Sequence, residues 1–148
     1  DAQEAGIAAV KPGAKYRDFH DAAQRVLTER LVEWGLVDGP VERVLELGLQ
    51  RRWTLHGTGH MLGMDVHDCA VARTETYVDG TLEPGMVLTV EPGLYFQADD
   101  LTVPEEYRGI GVRIEDDILV TEDGNRNLSA ALPRRADDVE AWMASRKG

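Results

Sequence analysis

Gly109-Ile110-Gly111-Val112-Arg113-Ile114-Glu115-Asp116-Asp117-Ile118-Leu119-Val120 is the stretch on which the fold turns. Ile110, Val112 and Ile114 alternate with Gly111, Arg113 and Glu115, the period of a β-strand. The apolar set is expected on one side and Arg113 with Glu115 on the other. An Arg beside a Glu on one face is usually a surface pair. The flanking glycines and the continued apolar run point instead to a central strand, where Glu115 needs a strong partner and Arg113 balances nearby carboxylates.

Working backwards, Met86 to Val90 reads as a second strand, preceded by a turn at Pro84-Gly85 and broken by Pro92-Gly93. It ends in Glu91. A carboxylate closing an apolar strand is costly unless paired, protonated or bound to a cation; the alternative is simple exposure at a strand end. Gln97 to Tyr107 is polar and loop-like.

The N-terminal third has a different texture. Asp1 to Val10 is Ala-rich and helix-prone, and Pro12-Gly13 marks a turn. Tyr16 to Trp34 is the clearest helix, with Phe19, Ala22, Ala23, Val26, Leu27, Leu31 and Trp34 at helical spacing. A shorter helix follows Gly39-Pro40, with Val41, Val44, Leu45 and one of Leu47 or Leu49 inward. At the other end, Asp137 to Arg146 reads as a helix capped by Asp137, with Glu140 completing a capping box and Val139, Trp142 and Met143 on one face. Helices, then strands, then a helix make the class α+β.

His56-Gly57-Thr58-Gly59-His60 joins these regions, and three of the four histidines fall between 56 and 67. Histidines four apart share a helix face, as in zinc proteases. Two intervening glycines, each costing about 1 kcal/mol in a helix, oppose that reading. In an extended segment His56, Thr58 and His60 line one face, and the glycines permit close approach of a neighbour. His20, isolated in the long helix, reads as a surface or internally satisfied residue. Imidazole with carboxylates suits a divalent cation such as manganese, zinc, cobalt or ferrous iron.

Composition bounds the rest. The 148 residues suit one domain or a large piece of one; 43% are hydrophobic and 29% charged. A net charge of −11 disfavours nucleic acid as a partner. No apolar run is long enough to span a bilayer, and no secretory leader is recognisable, so no membrane role is expected. The single cysteine, Cys69, cannot form an intrachain disulfide, which makes cytoplasm the default location. Its own reading is that of a small buried hydrophobe.

The blocks HGTGHMLGMDVHD (56–68), LEPGMVLTVEPGLYF (82–96) and VPEEYRGIGVRIEDDILVTEDGNRNL (103–128) resemble the pita-bread metallopeptidases. The uninterrupted VPEEYRGIGVRIEDD is more similar to aminopeptidase P (Xaa-Pro aminopeptidase) than to prolidase. The resemblance runs from residue 1 to 148. It implies a pita-bread (creatinase/aminopeptidase-like) fold, here an incomplete C-terminal portion with an antiparallel-rich sheet and flanking helices. It implies metal ligation by His60, Glu91 and Glu115, with Glu115 shared between two divalent ions, manganese foremost. His56 and His67 would line the substrate site, Glu91 would also shuttle a proton, and Arg113 would support the second ion.

The implied reaction is removal of an N-terminal residue from peptides with proline second, through a hydroxide bridging two metals. Prolidase and a non-catalytic pita-bread binding module are the alternatives. Two ligating aspartates and a further histidine of the family fall upstream of this region. Residues 1–148 are therefore expected to be the C-terminal part of a catalytic domain, inactive alone, with self-association into a homo-oligomer.

Overall fold

A computed structural model describes residues 1–69 and 72–146. Helix α2 (Tyr16–Glu33) is its longest element and forms where the apolar spacing predicts. The Asp18 carboxylate accepts the Lys15 N–H at 2.9 Å and satisfies a donor that the first turn leaves open. Helix α1 (Ala2–Ala9) packs along it. Gly6 lets it sit close to both neighbours: a Cβ there would meet the Phe19 carbonyl of α2 at 3.4 Å and Val90 Cγ1 at 2.9 Å. The small helix α3 (Val41–Leu47) ends at Gly48, which takes the left-handed conformation.

Strands β1 (Val87–Val90), β4 (Asp116–Val120) and β5 (Asn125–Asn127) make one antiparallel sheet in the order β1-β4-β5. Strands β2 (Gly93–Tyr95) and β3 (Gly111–Arg113) pair in a second, with Gly93 opposite Arg113 and Tyr95 opposite Gly111. The first sheet packs its Leu88, Val90, Ile118 and Val120 against Val10 and Phe19 of the helical layer. A second core gathers Leu31, Val44, Trp53, Phe96 and Val103.

Two carboxylates fasten these layers. Burial alone would raise the Asp116 carboxyl, but hydrogen bonds from Ser129, Arg134 and Gln3 overcome it and hold the group below the usual range. Asp100 accepts from Arg52 (3.0 and 2.8 Å), the Trp53 indole (3.0 Å) and Thr102, and is held far below the ordinary carboxylate range by Arg52 first and Thr102 next. Asp100 thus pins Trp53, just before the histidine segment begins.

Several expectations need correction. The stretch 109–120 is not one central strand: it breaks after Arg113, and its halves belong to different sheets. Pairing Val90 with Asp116 and Gly93 with Arg113 leaves Ile114 and Glu115 as the hinge between them. Ile110, Val112 and Ile114 are exposed rather than buried. Trp34, Leu47 and Leu49 are also exposed, because the second core is filled by Trp53 and Phe96. Cys69 is exposed, in a left-handed turn. Helix α4 (Ala136–Ser145) starts at Arg135, so Asp137 lies inside its first turn and cannot cap it; Trp142 and Met143 face outward. Among the described residues no helix is long and apolar enough to cross a membrane.

Candidate metal centre

Residues 58–62 run extended along the free edge of β1. Glu91 N–H donates to the Thr58 carbonyl at 2.6 Å, Thr89 N–H to that of His60 at 2.9 Å, and Leu62 N–H to that of Val87 at 2.9 Å. The helical HxxxH reading is thereby excluded. Gly59 is what lets this strap lie so close, since a Cβ there would stand 1.9 Å from the Thr89 carbonyl oxygen. The Tyr16 hydroxyl donates to the Gly59 carbonyl at 2.9 Å, and the Tyr77 hydroxyl accepts the Met61 N–H at 2.9 Å. Burial, and then Tyr77, raise the Tyr16 phenol far above its ordinary value. Tyr16 therefore acts as a neutral clamp, and Tyr77 holds the Met61 amide beside it.

The strap delivers His60 to the end of β1. His60 Nε2 faces Glu91 Oε1 at 3.3 Å, with the side chains only 17% and 12% exposed. His60 Nδ1 lies 3.0 Å from the Met61 carbonyl, which can only accept, so the ring proton belongs on Nδ1. Nε2 then turns its lone pair towards a carboxylate oxygen. Two acceptors so placed require a proton or a cation between them. Thr89 relays the arrangement: its hydroxyl accepts the His60 N–H at 3.0 Å and donates to Glu91 Oε1 at 3.1 Å. Arg113 Nε approaches the other Glu91 oxygen at 3.9 Å, carried there by the Gly93–Arg113 register.

Glu115 enters as charge. Burial raises its carboxyl above the ordinary value, the Glu91 carboxylate adds to the rise, and Arg113 and His60 oppose it. Among the described residues no three His, Cys, Asp or Glu side chains are gathered tightly enough to form a finished metal cage. The direct contact is His60 with Glu91.

The other two histidines flank this pair. The His67 ring stands edge-on to His60 with centroids 4.4 Å apart. His56 Nδ1 lies 2.7 Å from the Gly57 carbonyl and so carries the proton, leaving Nε2 to accept from the Tyr95 hydroxyl at 2.7 Å. Sequence reasoning missed Tyr95, Thr89, Tyr16 and Tyr77. Tyr95 had a local signal, two residues after Gly93 on a short strand. The clamping tyrosines had none, because their partners are backbone atoms more than 15 positions away.

The donor set fits a divalent cation: an imidazole lone pair and a carboxylate at the separation kept by two ligands of one ion, with a second carboxylate close by. The sequence profile of metallopeptidase family M24 matches residues 1–122, and the chain belongs to that family. Its helices and antiparallel sheets are part of the pita-bread fold of the solved relatives.

Among those relatives, the chain is 90% identical to Xaa-Pro aminopeptidase 1 of Streptomyces coelicolor, over all 148 residues and 30% of that protein. The aminopeptidase PepP of Pseudomonas aeruginosa superposes with a TM-score of 0.91 at 41% identity, over 97% of this chain and 32% of that one. Zinc-substituted Escherichia coli aminopeptidase P in complex with product gives 0.90 at 40% identity, over 99% and 33%. The chain thus spans about 30% of the length of the curated relatives it matches.

Proposed function

We propose that residues 1–148 are the C-terminal part of a metallopeptidase catalytic domain, in a protein that removes the N-terminal residue from peptides with proline second. The observation that carries this reading is His60 Nε2 facing Glu91 Oε1 at 3.3 Å, with both side chains largely buried. The likeness to enzymes named Xaa-Pro aminopeptidase supplies the substrate class. His60, Glu91 and Glu115 would hold divalent metal, manganese foremost, with Glu115 shared between two ions. The zinc-substituted relative supports a divalent site without selecting the ion.

When bound, the metal supplies Lewis-acid polarisation of the scissile carbonyl and activation of water. The chain's own residues do the rest. Glu91, steadied by the Thr89 hydroxyl, takes a proton at Oε and returns it to the leaving proline nitrogen. Arg113 offsets the charge of Glu91 and Glu115. His67 beside His60, and His56 held by Tyr95, present imidazoles to the substrate and to the oxygen that gains charge. We place the protein in the cytoplasm and expect a homo-oligomer, since β3 lacks a second strand neighbour among the described residues.

The test is peptide hydrolysis by the intact protein carrying this chain. Tripeptides and longer peptides with proline second should be cut, and His60→Ala and Glu91→Gln should each abolish bound metal and turnover together. Cleavage confined to dipeptides would make it a prolidase; metal-free protein without turnover would leave a binding module. Residues 1–148 alone should hold at most one manganese ion, weakly, by calorimetric titration.

A further inference from the structure

One half-buried imidazole is not used by the proposed chemistry. His20, on α2, lies with Nδ1 2.9 Å from the Thr58 hydroxyl and 3.3 Å from the Thr58 backbone nitrogen. A backbone N–H only donates, which assigns Nδ1 as its acceptor and the ring proton to Nε2; the Thr58 hydroxyl suits either tautomer. Thr58 is 1% exposed, and its N–H has no water to turn to. Its carbonyl accepts the Glu91 N–H at 2.6 Å. One residue, Thr58, thus joins His20 on the helix to the strand end that bears Glu91. It lies midway between His56 and His60.

We propose that His20, as the neutral Nε2–H tautomer, is a positioning residue: through Thr58 it fixes the strap that presents His56 and His60. The rest of the strap is fixed elsewhere. Gly59 and Met61 are clamped by Tyr16 and Tyr77, and His60 is tied to Thr89. The Thr58 amide is held from the helical side by His20.

The environment keeps His20 in this state. Burial pushes it below its ordinary value of 6.5; Asp21 on the same helix opposes, and Arg51 and Arg17 reinforce. His56 and Gln24 line the same cavity of about 310 Å³. A proton on Nδ1 would set two donors against each other and release the Thr58 amide. Stability and positioning are complete above the ordinary histidine value and are lost as pH falls through the lower folded value.

The inference deepens the metallopeptidase reading and rests on it for rate alone. The first test needs no substrate. In the intact protein labelled with ¹⁵N-histidine, NMR should show His20 protonated at Nε2 and bare at Nδ1 at neutral pH. The Thr58 amide shift should follow its titration. A proton on Nδ1, or an imidazolium at neutral pH, overturns the proposal, and either result stands even if the protein cuts no Xaa-Pro peptide.

The second test compares His20→Leu, which removes the acceptor, with His20→Asn, whose Oδ1 can replace Nδ1. Displacement of the strap by Leu should lower kcat about 10- to 100-fold with little change in KM. Asn should restore kcat to within about threefold and flatten the acid limb of the profile. Wild-type kcat in the Leu variant, or an Asn variant as slow as Leu, overturns the assignment. Should the Leu protein not fold, the Asn profile and the NMR result still decide.

Discussion

The two halves of residues 109–120 are both rich in β-branched residues and meet opposite fates. In β4, Ile118 is 0% exposed, between β1 and β5 and against the helical layer. In β3, Val112 is 52% exposed, on a two-stranded ribbon. Ile110, Val112 and Ile114 instead wall an apolar groove of about 520 Å³ with Trp34, Leu94 and Phe96. Period two makes a strand; it does not say which face is covered, or by what. The difference matters for the site, because the half that is fixed ends beside Glu91 and the half that is open brings Arg113.

The comparison can be broken most decisively at the strap that completes the buried sheet. Gly59→Ala forces a Cβ into the Thr89 carbonyl, and we expect a loss of about 4 kcal/mol or more together with bound metal, read by urea unfolding and metal titration. A variant of native stability would mean that the strap does not lie on β1. Ile118→Ala should cost about 3 kcal/mol by the same unfolding measurement, through lost burial and a residual cavity. A cost near zero would remove the distinction between the halves.

Acid unfolding tests the anchor that holds the opposite end of the strap. The Asp100 carboxyl is depressed, so its contribution is present above the ordinary carboxylate value of 3.8 and is lost as pH falls through the lower folded value. Asp100→Asn should destabilise the protein at neutral pH, and the deficit against wild type should shrink as pH falls. A deficit independent of pH would show that Asp100 acts by shape rather than charge. The smallest effect is expected in the open half. Val112→Thr should change the stability of this chain by no more than about 0.5 kcal/mol. In any longer protein that contains this chain, a cost several times larger would show that the groove is covered there.

Much of the architecture is legible in the residues themselves. The α2 helix follows from apolar spacing, β1 from Val87 to Val90, and the extended strap from glycines that a helix would not tolerate. His60 and Glu91 are drawn together by the resemblance to the pita-bread metallopeptidases; the residues themselves leave open a Gly-rich loop with incidental histidines and a Glu exposed at a strand end. Tyr16, Tyr77 and His20 could not be singled out. Each matters through a hydrogen bond to a residue 16 to 43 positions away, and no local pattern encodes such a partner.

The sequence by itself determined the α+β class, the order of the elements and the residue types of the candidate metal centre, because backbone propensity and hydrophobic period are local properties. Only the tertiary structure decided that 109–120 divides between two sheets, that Thr58 is the partner that satisfies His20, and that His60 turns Nε2 to Glu91. Those outcomes depend on register and on which buried donor finds which acceptor. Both are set when the layers close on one another, since a polar atom losing water must take the partner that packing leaves within reach.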